Sequence, residues 1–317
     1  MDLSIIMPTL GRPEAMARVL AALGRQRLDD LSVELIVVHD GGPHRPTPTL
    51  PTLPFPTHLL IHPKNLGRGI ACNTGAATAL GKVLLFLDDD LVPARSDFLR
   101  HHLELHRDGR RAVMGRVTLP RLPSGPWSNY VMSGSRSAEK ARAASLKADP
   151  FDPTYCLTGN FSLLREDFST VGGYESRFRE YGYEDTELGV RLTQAGIPLD
   201  YQEELEVIHL TDATSVSVLT RKTYQTGKNA VFMNRLHPGI RFSFGFHPEA
   251  QRGILKTLLH LLNLLVYPAL PPLTHALHTL GWDWGTLRAA DRTVSPWKAR
   301  GILAARRRDK AMEVKTP

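Results

Sequence analysis

The stretch Val83-Leu84-Leu85-Phe86-Leu87-Asp88-Asp89-Asp90 joins a run of large apolar residues to three consecutive carboxylates. Five apolar residues in a row predict a strand covered on both faces, as in a parallel sheet. If the extended conformation continues, Asp88 and Asp90 point to the same face. Two carboxylates that close repel each other unless a cation lies between them, and hard oxygen ligands favour Mg²⁺ or Mn²⁺. The alternative is a solvated acidic turn.

Two further buried strands are predicted near the start of the chain, and each ends at polar residues. The first is Leu3 to Met7, followed by a turn with Thr9 and Arg12. The second is Val33 to Val38, followed by Asp40, and an amphipathic helix lies between the strands. This βαβ unit indicates an α/β fold with a mostly parallel sheet flanked by helices. Because ligands in such folds bind beyond the carboxyl ends of the strands, we expect these polar residues and the three acids to line one crevice.

The segment Asn65 to Gly75 is rich in glycine and leads into an Ala-rich helix. Glycines ahead of a helix let backbone N–H groups approach a phosphate or ribose, but they also suit an ordinary helix start. The segment has no phosphate-loop signature. Further along, the patterns predict strands at His58 to His62, Ala112 to Thr118 and Glu206 to Ile208, and a helix at Phe98 to His106.

Residues 120–150 form a long stretch rich in Ser, Gly, Ala and Lys, which is typical of a lid or of a disordered segment. Trp127 in this stretch either stacks on a sugar ring or packs against the body of the protein. Glu184 and Asp185 precede an amphipathic helix, where acids serve as caps or, beside a metal site, as a general base. His209 follows a short strand, where a histidine is a surface residue, a core residue or a metal ligand.

Composition indicates a globular protein of a reducing compartment. The chain has 317 residues, is 42% hydrophobic and contains two cysteines, Cys72 and Cys156, which are far apart and in no metal-binding spacing. A disulfide framework is therefore not expected, although a single bridge stays open. The first eight residues, with Asp2 and Pro8, lack the pattern of a signal peptide. We expect a cytoplasmic location.

The net charge of +7 lies in the C-terminal part of the chain. Residues 252–317 contain 11 Lys and Arg against 4 Asp and Glu, so the remainder is neutral. This segment also holds the apolar run Ile254 to Val266, which is shorter than the roughly 20 residues that a membrane-spanning helix needs. Trp282, Trp284, Trp297 and Arg306 to Arg308 are residues that an interfacial helix uses. The combination favours an anionic membrane surface, at the inner face of the cell membrane, over nucleic acid; the alternative is a buried helix that closes the catalytic domain.

Over roughly residues 3 to 210, these segments resemble an inverting family 2 glycosyltransferase with the GT-A fold. The matching pieces are Ser4-Ile5-Ile6-Met7-Pro8-Thr9, Asp40-Gly41-Gly42, Asn65-Leu66-Gly67 through Asn73, Phe86-Leu87-Asp88-Asp89-Asp90, and Gly172-Gly173-Tyr174 through Glu184-Asp185. Gly159-Asn160-Phe161 and the residues from Gly182 to Leu188 are similar to the C-terminal part of galactosyltransferase-type domains. The order and spacing of the pieces make the resemblance specific.

The resemblance implies a nucleotide-sugar donor, expected to be a UDP-sugar, and a Mn²⁺ or Mg²⁺ ion. The donor-binding residues that it implies are Pro8, Thr9, Arg12, Asp40, Asn65, Arg68, Asn73, Asp88 and Asp89, with Asp40 at the base. Asp88, Asp90 and His209 are the implied metal site, in which Asp90 binds the ion directly. Asp185 is the implied catalytic base, and Glu184 and Trp127 are expected at the acceptor. The proline-rich residues 43–57 depart from the family pattern.

Two domains and one main function are expected. Residues 1–215 form the GT-A domain and residues 216–317 a helical, basic C-terminal region. The main hypothesis is a metal-dependent inverting glycosyltransferase that acts on a glycan or lipid-linked acceptor. The second hypothesis is a non-catalytic nucleotide- or carbohydrate-binding subunit that keeps the fold. A nucleotidyltransferase fits the late Glu184-Asp185 pair poorly.

Overall fold

The computed structural model describes residues 1–42, 45–122, 124–133, 152–210, 215–238, 240, 269–282, 289–291, 294, 297–298 and 300–305. The chain forms two compact units. The first comprises Met1–Pro120, Lys140–Arg179 and Glu184–Thr211, and the second comprises Arg121–Glu139, Glu180–Tyr183 and Asp212–Pro317. The domain boundary expected at residue 215 stays a prediction.

The first unit is built on an eight-stranded sheet. Its strands are β1 (Leu3–Thr9), β2 (Val33–His39), β3 (Thr57–Ile61), β4 (Val83–Leu87), β5 (Leu91–Pro93), β6 (Ala112–Thr118), β7 (Asn160–Leu164) and β8 (Leu199–His209). The spatial order is β3-β2-β1-β4-β7-β6-β8-β5. The pairs β3/β2, β2/β1, β1/β4 and β6/β8 are parallel, and the others are antiparallel. The predicted α/β class with a mostly parallel sheet is confirmed.

Besides helical residues at 126–133, 289–291 and 300–305, the described residues hold helices with complete bounds, five in the first unit and two in the second. They are α1 (Pro13–Leu23), α2 (Arg68–Thr78), α3 (Phe98–Glu104), α4 (Arg165–Thr170) and α5 (Glu184–Gln194), then α6 (Val216–Leu236) and α7 (Leu270–Thr279). A 3₁₀ turn lies at Pro153–Tyr155. No described helix is long and apolar enough to cross a bilayer. The predicted run at residues 254–266, Trp284 and Arg306 to Arg308 lie outside the described residues.

β4 is buried at all five residues, as its apolar run predicted. Val83, Leu85 and Leu87 pack in one hydrophobic cluster together with residues of α1. Leu84 and Phe86 pack in a second cluster with residues of α2 and α5. The strand therefore separates two halves of the core, and truncating one of these side chains to alanine costs about 2–5 kcal/mol of stability.

Glycine allows α2 to pack closely on the sheet. A Cβ atom at Gly75 would lie 2.6 Å from Cγ2 of Ile6, so only glycine fits between the helix and β1. Gly67, just before the helix, has φ +102°, and a Cβ there would lie 2.9 Å from the Cα of Arg179. These two glycines thus serve packing and a left-handed turn in this structure.

β8 is much longer than the predicted strand Glu206 to Ile208. It begins at Leu199 and pairs with β6 on one side and β5 on the other. A register shift between Gly115 and Val117 leaves Glu203 and Glu204 exposed in the middle of the strand. These consecutive acids hide the alternating pattern, because the period of two is interrupted there.

Both cysteines are free and buried in the structure. Burial raises the pKa of Cys72 to about 12, because the thiolate loses its hydration. The thiol of Cys72 therefore stays protonated at neutral pH, and the disulfide that the sequence left open is absent between the two cysteines.

A polar network crosses the core between α3 and β7. Asn160 Nδ2 donates to the carbonyl of Leu205 at 2.7 Å, which turns Asn160 Oδ1 toward His102 Nε2 at 3.0 Å. His102 Nδ1 therefore accepts from Ser162 Oγ at 2.8 Å, and Ser162 Oγ accepts from His106 Nε2 at 2.8 Å. This order of donors and acceptors requires a neutral imidazole at His102, whose Nδ1 accepts, whereas His106 donates through Nε2 in either charge state. Burial lowers the pKa of His102 to about 3 and of His106 to about 4.

We predict that these histidines make the protein acid-sensitive. In the unfolded chain the two histidines become protonated below pH 6.5, whereas in the folded chain His106 stays neutral down to about pH 4. Protons therefore favour the unfolded chain in this range, and the free energy of unfolding falls as the pH drops below 6.5. His106 alone should account for a loss of about 2 kcal/mol at pH 5. Chemical denaturation at pH 7.5 and pH 5 checks this.

His106→Gln keeps an N–H donor for Ser162 and cannot titrate, so its loss of stability between the two pH values should be about 2 kcal/mol smaller than that of the wild type. His101→Gln, in α3 and only partly buried, is the control and should behave as the wild type. An equal loss in His106→Gln and wild type would contradict the prediction.

Candidate active site

The three acids lie in a turn after β4. The strand ends at Leu87, and the N–H of Leu91 donates to the carbonyl of Asp88 at 3.1 Å. The extended conformation therefore does not continue, and the expectation that Asp88 and Asp90 share one face of a strand is wrong. Instead, each acid has its own cationic or polar partners. We call residues 88–90 the acidic turn.

Asp89 is the most buried acid of the acidic turn. Its side chain has no solvent exposure, accepts a hydrogen bond of 2.5 Å from Thr9 Oγ1 and forms an ion pair with Arg12. Burial raises the pKa of Asp89 to about 6, although Arg12 and the bond from Thr9 act in the opposite direction. The adjacency of β1 and β4 brings Thr9 and Arg12 to this position.

Asp90 contacts a cation and a histidine. Its Oδ2 accepts from Arg12 and lies 3.2 Å from Nε2 of His209, at the end of β8. Burial works to raise the pKa of Asp90, but the hydrogen bond and charge of His209 and the charge of Arg12 outweigh it and hold the pKa below its usual range. In the part of the chain that the structure describes, no group of three or more His, Cys, Asp or Glu side chains is placed to hold a metal ion.

Arg68 joins the acidic turn to the predicted base. Its Nε donates to Asp88 Oδ1 at 2.8 Å, and its Nη1 donates to Asp185 Oδ1 at 3.0 Å. Arg68 also stacks over the ring of Tyr174, with its Cζ 5.7 Å from the ring centroid. One guanidinium at the start of α2 thus contacts both Asp88 and Asp185, which are far apart in sequence. Burial raises the pKa of Asp88 even though Arg68 opposes this shift.

The two oxygens of Asp185 differ in their contacts. Oδ1 accepts from Arg68 and from the hydroxyl of Thr158. Oδ2 has no hydrogen-bond partner among the described residues. Asp185 lies in the first turn of α5, where the helix dipole favours the carboxylate. The residue therefore has one oxygen anchored and the other available.

Asp40 is buried and holds the backbone ahead of α2. Its Oδ1 lies 2.7 Å from His62 Nδ1 and accepts from the N–H of Leu66 at 2.9 Å, and its Oδ2 accepts from the N–H of Gly67 at 2.8 Å. A carboxylate has about four acceptor positions, so one on Oδ2 is left. The predicted contact of Asp40 with the donor base stays a prediction.

The other predicted donor residues have varied surroundings. Asn73 pairs with the backbone of Tyr174, to whose carbonyl it donates and from whose N–H it accepts, both at 2.8 Å. Pro8 is buried within β1 opposite Val38, and Asn65 is exposed in the loop before α2. The side chain of Asn73 thus has a structural partner here, while donor contacts of all three residues stay predictions.

The two residues predicted at the acceptor belong to different units. Glu184 is buried at the start of α5 in the first unit. Trp127 is buried in the second unit, where it packs with Ala290 and Val294 and its Nε1 donates to His275 Nε2 at 3.3 Å. Trp127 therefore packs against other residues of its own unit, which is one of the two alternatives that the sequence left open. An acceptor role for Trp127 or Glu184 stays a prediction.

Thr158 and Gly159 lie in the site, although the sequence analysis assigned no role to either residue. Thr158 contacts both Arg68 and Asp185. The carbonyl of Gly159 accepts from the N–H of Asp88 at 2.9 Å, and a Cβ at Gly159 would lie 2.7 Å from Asp88 Oδ2. The rule for strand ends gave no signal for them, because they precede β7; they reach the site because β7 runs antiparallel to β4.

Two family models match the chain. The model described as glycosyl transferase family 2 matches residues 4–172, and the model described as the N-terminal domain of galactosyltransferase matches residues 142–210. Together they span the acidic turn, Arg68, Thr158, Asp185 and His209.

Curated relatives are distant glycosyltransferases. An uncharacterized glycosyltransferase, YfnE, of Bacillus subtilis is 22% identical over 255 residues, which are 66% of this chain and 64% of that protein. Validoxylamine A glucosyltransferase of Streptomyces hygroscopicus subsp. limoneus is 24% identical over 289 residues, 81% of this chain and 61% of that protein. The chain thus spans less than two thirds of the length of these relatives.

Solved structures share the fold at low identity. The mannosyltransferase PcManGT from Pyrobaculum calidifontis, in complex with GDP-Man and Mn²⁺, superposes with a TM-score of 0.55 at 16% identity and covers 96% of this chain and 86% of that one. S. aureus TarS, residues 1–349, gives a TM-score of 0.50 at 15% identity, with 97% and 92% covered. Because the family model covers more than half of the chain, the chain belongs to glycosyl transferase family 2 and has the GT-A fold, as the resemblance predicted.

Proposed function

We propose that this protein transfers a sugar from a nucleotide-sugar donor to an acceptor hydroxyl with inversion at the anomeric carbon, and that Asp185 is the general base. The observation that carries the proposal is the double contact of Arg68 with Asp88 and Asp185, which puts the acidic turn and the base in one site. A nucleotide-sugar donor is supported by the related fold of a mannosyltransferase solved with GDP-Man.

In the proposed reaction, a single nucleophilic displacement takes place at the anomeric carbon. Oδ2 of Asp185 accepts the proton of the acceptor hydroxyl while that oxygen bonds to the anomeric carbon. The bond from the anomeric carbon to the diphosphate oxygen breaks on the opposite face, which inverts the centre. Arg12, whose side chain is 41% exposed, and Arg68 provide positive charge for the leaving nucleoside diphosphate.

A divalent ion fits Asp90 and His209. Asp90 Oδ2 and His209 Nε2 are 3.2 Å apart, and a carboxylate oxygen with an imidazole nitrogen suits Mn²⁺. We propose these two residues as direct ligands, with Asp88 in contact with the ribose or with metal-bound water. When bound, such an ion neutralises charge on the diphosphate. The mannosyltransferase of related fold was solved with Mn²⁺.

The second candidate is a non-catalytic subunit that binds a nucleotide or a carbohydrate. It requires the acidic turn but gives no reason to hold a carboxylate with one anchored and one available oxygen at Asp185. The arrangement at Asp185 therefore favours the enzyme. Nucleotide binding that depends on a metal, without turnover on any acceptor, would support the subunit instead.

We predict that the protein releases nucleoside diphosphate from a matching donor in the presence of Mn²⁺. The panel should contain UDP- and GDP-sugars, with glycan, lipid-linked and validoxylamine A acceptors, since two relatives are named for the last of these. Asp185→Asn should lower kcat by about 10² or more, because a general base contributes 10²–10⁴-fold.

Donor affinity, measured by calorimetry, should change less than threefold in Asp185→Asn. Asp200→Asn, a partly exposed acid on β8, is a matched control and should keep full activity. An active Asp185→Asn enzyme, or one that loses donor binding as much as turnover, would count against Asp185 as the base.

We predict that His209→Gln weakens Mn²⁺ binding at least tenfold, because it removes one of the proposed protein ligands. Mn²⁺ titration followed by electron paramagnetic resonance, with and without UDP or GDP, measures this. His58→Gln is the control, since His58 is exposed and lies 3.8 Å from Glu34. Equal affinity of His209→Gln and wild type would remove His209 from the proposed site.

We propose, finally, that the basic C-terminal region attaches the protein to the inner face of the cell membrane. The +7 charge of residues 252–317 suits anionic lipid, and Leu280 and Trp282 are 79% and 56% exposed at the end of α7. An exposed tryptophan beside an exposed leucine is the type of surface that inserts at a lipid interface.

We predict that the protein sediments with vesicles that contain phosphatidylglycerol and not with pure phosphatidylcholine, and that 0.5 M salt weakens the binding. Trp282→Ser should reduce binding severalfold, whereas Leu157→Ser, which removes a 43% exposed apolar residue of the first unit, should not. Equal binding to neutral and anionic vesicles, or none, would refute the proposal.

A further inference from the structure

The hydroxyl of Thr158 has defined donors and acceptors. The residue is fully buried and contacts Arg68 and Asp185 through the same oxygen. Arginine only donates, and Arg68 Nη1 lies 3.1 Å from Thr158 Oγ1, so Thr158 accepts there. The single hydroxyl proton is therefore left for Asp185 Oδ1. Thr158 therefore fixes which oxygen of Asp185 is occupied.

The backbone around Thr158 is tied to the acidic turn. The Thr158 carbonyl accepts from Arg68 Nη2 at 2.9 Å, and the next carbonyl, of Gly159, accepts from the N–H of Asp88 at 2.9 Å. β7 begins directly afterwards and pairs Asn160 with Leu87. Because the strand register fixes this segment, the hydroxyl of Thr158 is held at a set place relative to Asp88.

We infer that Thr158 is a positioning residue that anchors Oδ1 of Asp185 and thereby presents Oδ2 to the acceptor hydroxyl. The inference rests on the proposed role of Asp185 as general base. Arg68 also contacts Oδ1 of Asp185 and, at the same time, Asp88 of the acidic turn. Since arginine binds phosphate well, the donor diphosphate would compete with Asp185 for this guanidinium. Thr158 has no such competing ligand, so it would keep Asp185 oriented with Arg68 engaged by the diphosphate.

A purely structural role for Thr158 makes different predictions. If the hydroxyl only satisfied buried Arg68, its loss would affect folding or donor binding, and turnover would fall together with donor affinity. If it orients Asp185, only the chemical step should slow, because donor affinity does not depend on the orientation of the base. The two roles are therefore separated by comparing kcat with donor affinity and thermal stability.

The experiment uses Thr158→Val, which keeps the shape and removes the hydroxyl, and Thr158→Ser, which keeps the hydroxyl. We expect Thr158→Val to lower kcat about 10- to 100-fold, a fraction of what a general base contributes, with donor Kd changed less than threefold. Thr158→Ser should restore kcat to within about threefold of the wild type. Thr274→Val, which removes another fully buried hydroxyl that donates to the carbonyl of Leu270, should keep the wild-type kcat.

A wild-type kcat in Thr158→Val, a Thr158→Ser enzyme as slow as Thr158→Val, or a donor Kd that changes as much as kcat would each overturn the inference. If Thr158→Val does not fold, Thr158→Ala and Thr158→Ser form the pair with the same expected contrast. The Asp185→Asn variant distinguishes a failure of the proposed function from a failure of the proposed role of Thr158. An active Asp185→Asn enzyme defeats the proposed function, whereas an inactive Asp185→Asn with a fully active Thr158→Val defeats only the role of Thr158.

Discussion

Three carboxylates on consecutive residues at the end of a fully buried strand are the constraint on which the site depends. Like charges so close, and partly removed from water, repel each other and are costly unless cations and hydrogen-bond donors surround them. Arg12 supplies charge to Asp89 and Asp90, and Arg68 supplies it to Asp88. Neither arginine is on β4. The turn is therefore stable only when α1, α2 and the sheet are assembled together.

The strand order explains why these cations are within reach. β1 lies next to β4, so the turn that follows β1 delivers Thr9 and Arg12 to the acidic turn. The segment after β3 leads into α2. Asp40, directly after β2, accepts from the N–H groups of Leu66 and Gly67 just ahead of the helix, and Arg68 then begins the helix beside Asp88. Carboxyl ends of parallel strands thus provide the site, as is general for open α/β sheets.

Much of this was predictable from the sequence. Continuous apolar runs indicated the buried parallel strands β1, β2 and β4, and the strand predicted at residues 112–118 has the bounds of β6. The convergence of Thr9, Arg12 and the acidic turn followed from the rule for strand ends. Asp185 came from the resemblance, since a carboxylate in a first helical turn is common and carries no specific signal by itself.

The rest depended on tertiary contacts that a one-dimensional pattern does not contain. Whether three acids continue a strand or form a turn depends on their partners, and Arg12 and Arg68 favour the turn. The exposed acids of β8 broke the alternating pattern. The resemblance implied a donor role for Asn73, and the structure adds that its amide pairs with the backbone of Tyr174 across 101 residues of sequence. Polar contacts of this kind produce no periodic pattern in the sequence, so they could not be predicted from it.

The exposure of the charged residues indicates from which side a ligand reaches the site. Asp89 and Asp90 are almost completely buried, whereas the Arg12 side chain that neutralises them is 41% exposed. An approaching group therefore meets the guanidinium before it meets either carboxylate, and an anion is favoured over a neutral or positive ligand. A diphosphate satisfies this condition, and in the proposed reaction it would also compete for Arg68, with Thr158 as the remaining contact to Asp185 Oδ1. The charges that stabilise the acidic turn are thus the same ones that, in the proposed function, favour an anionic donor.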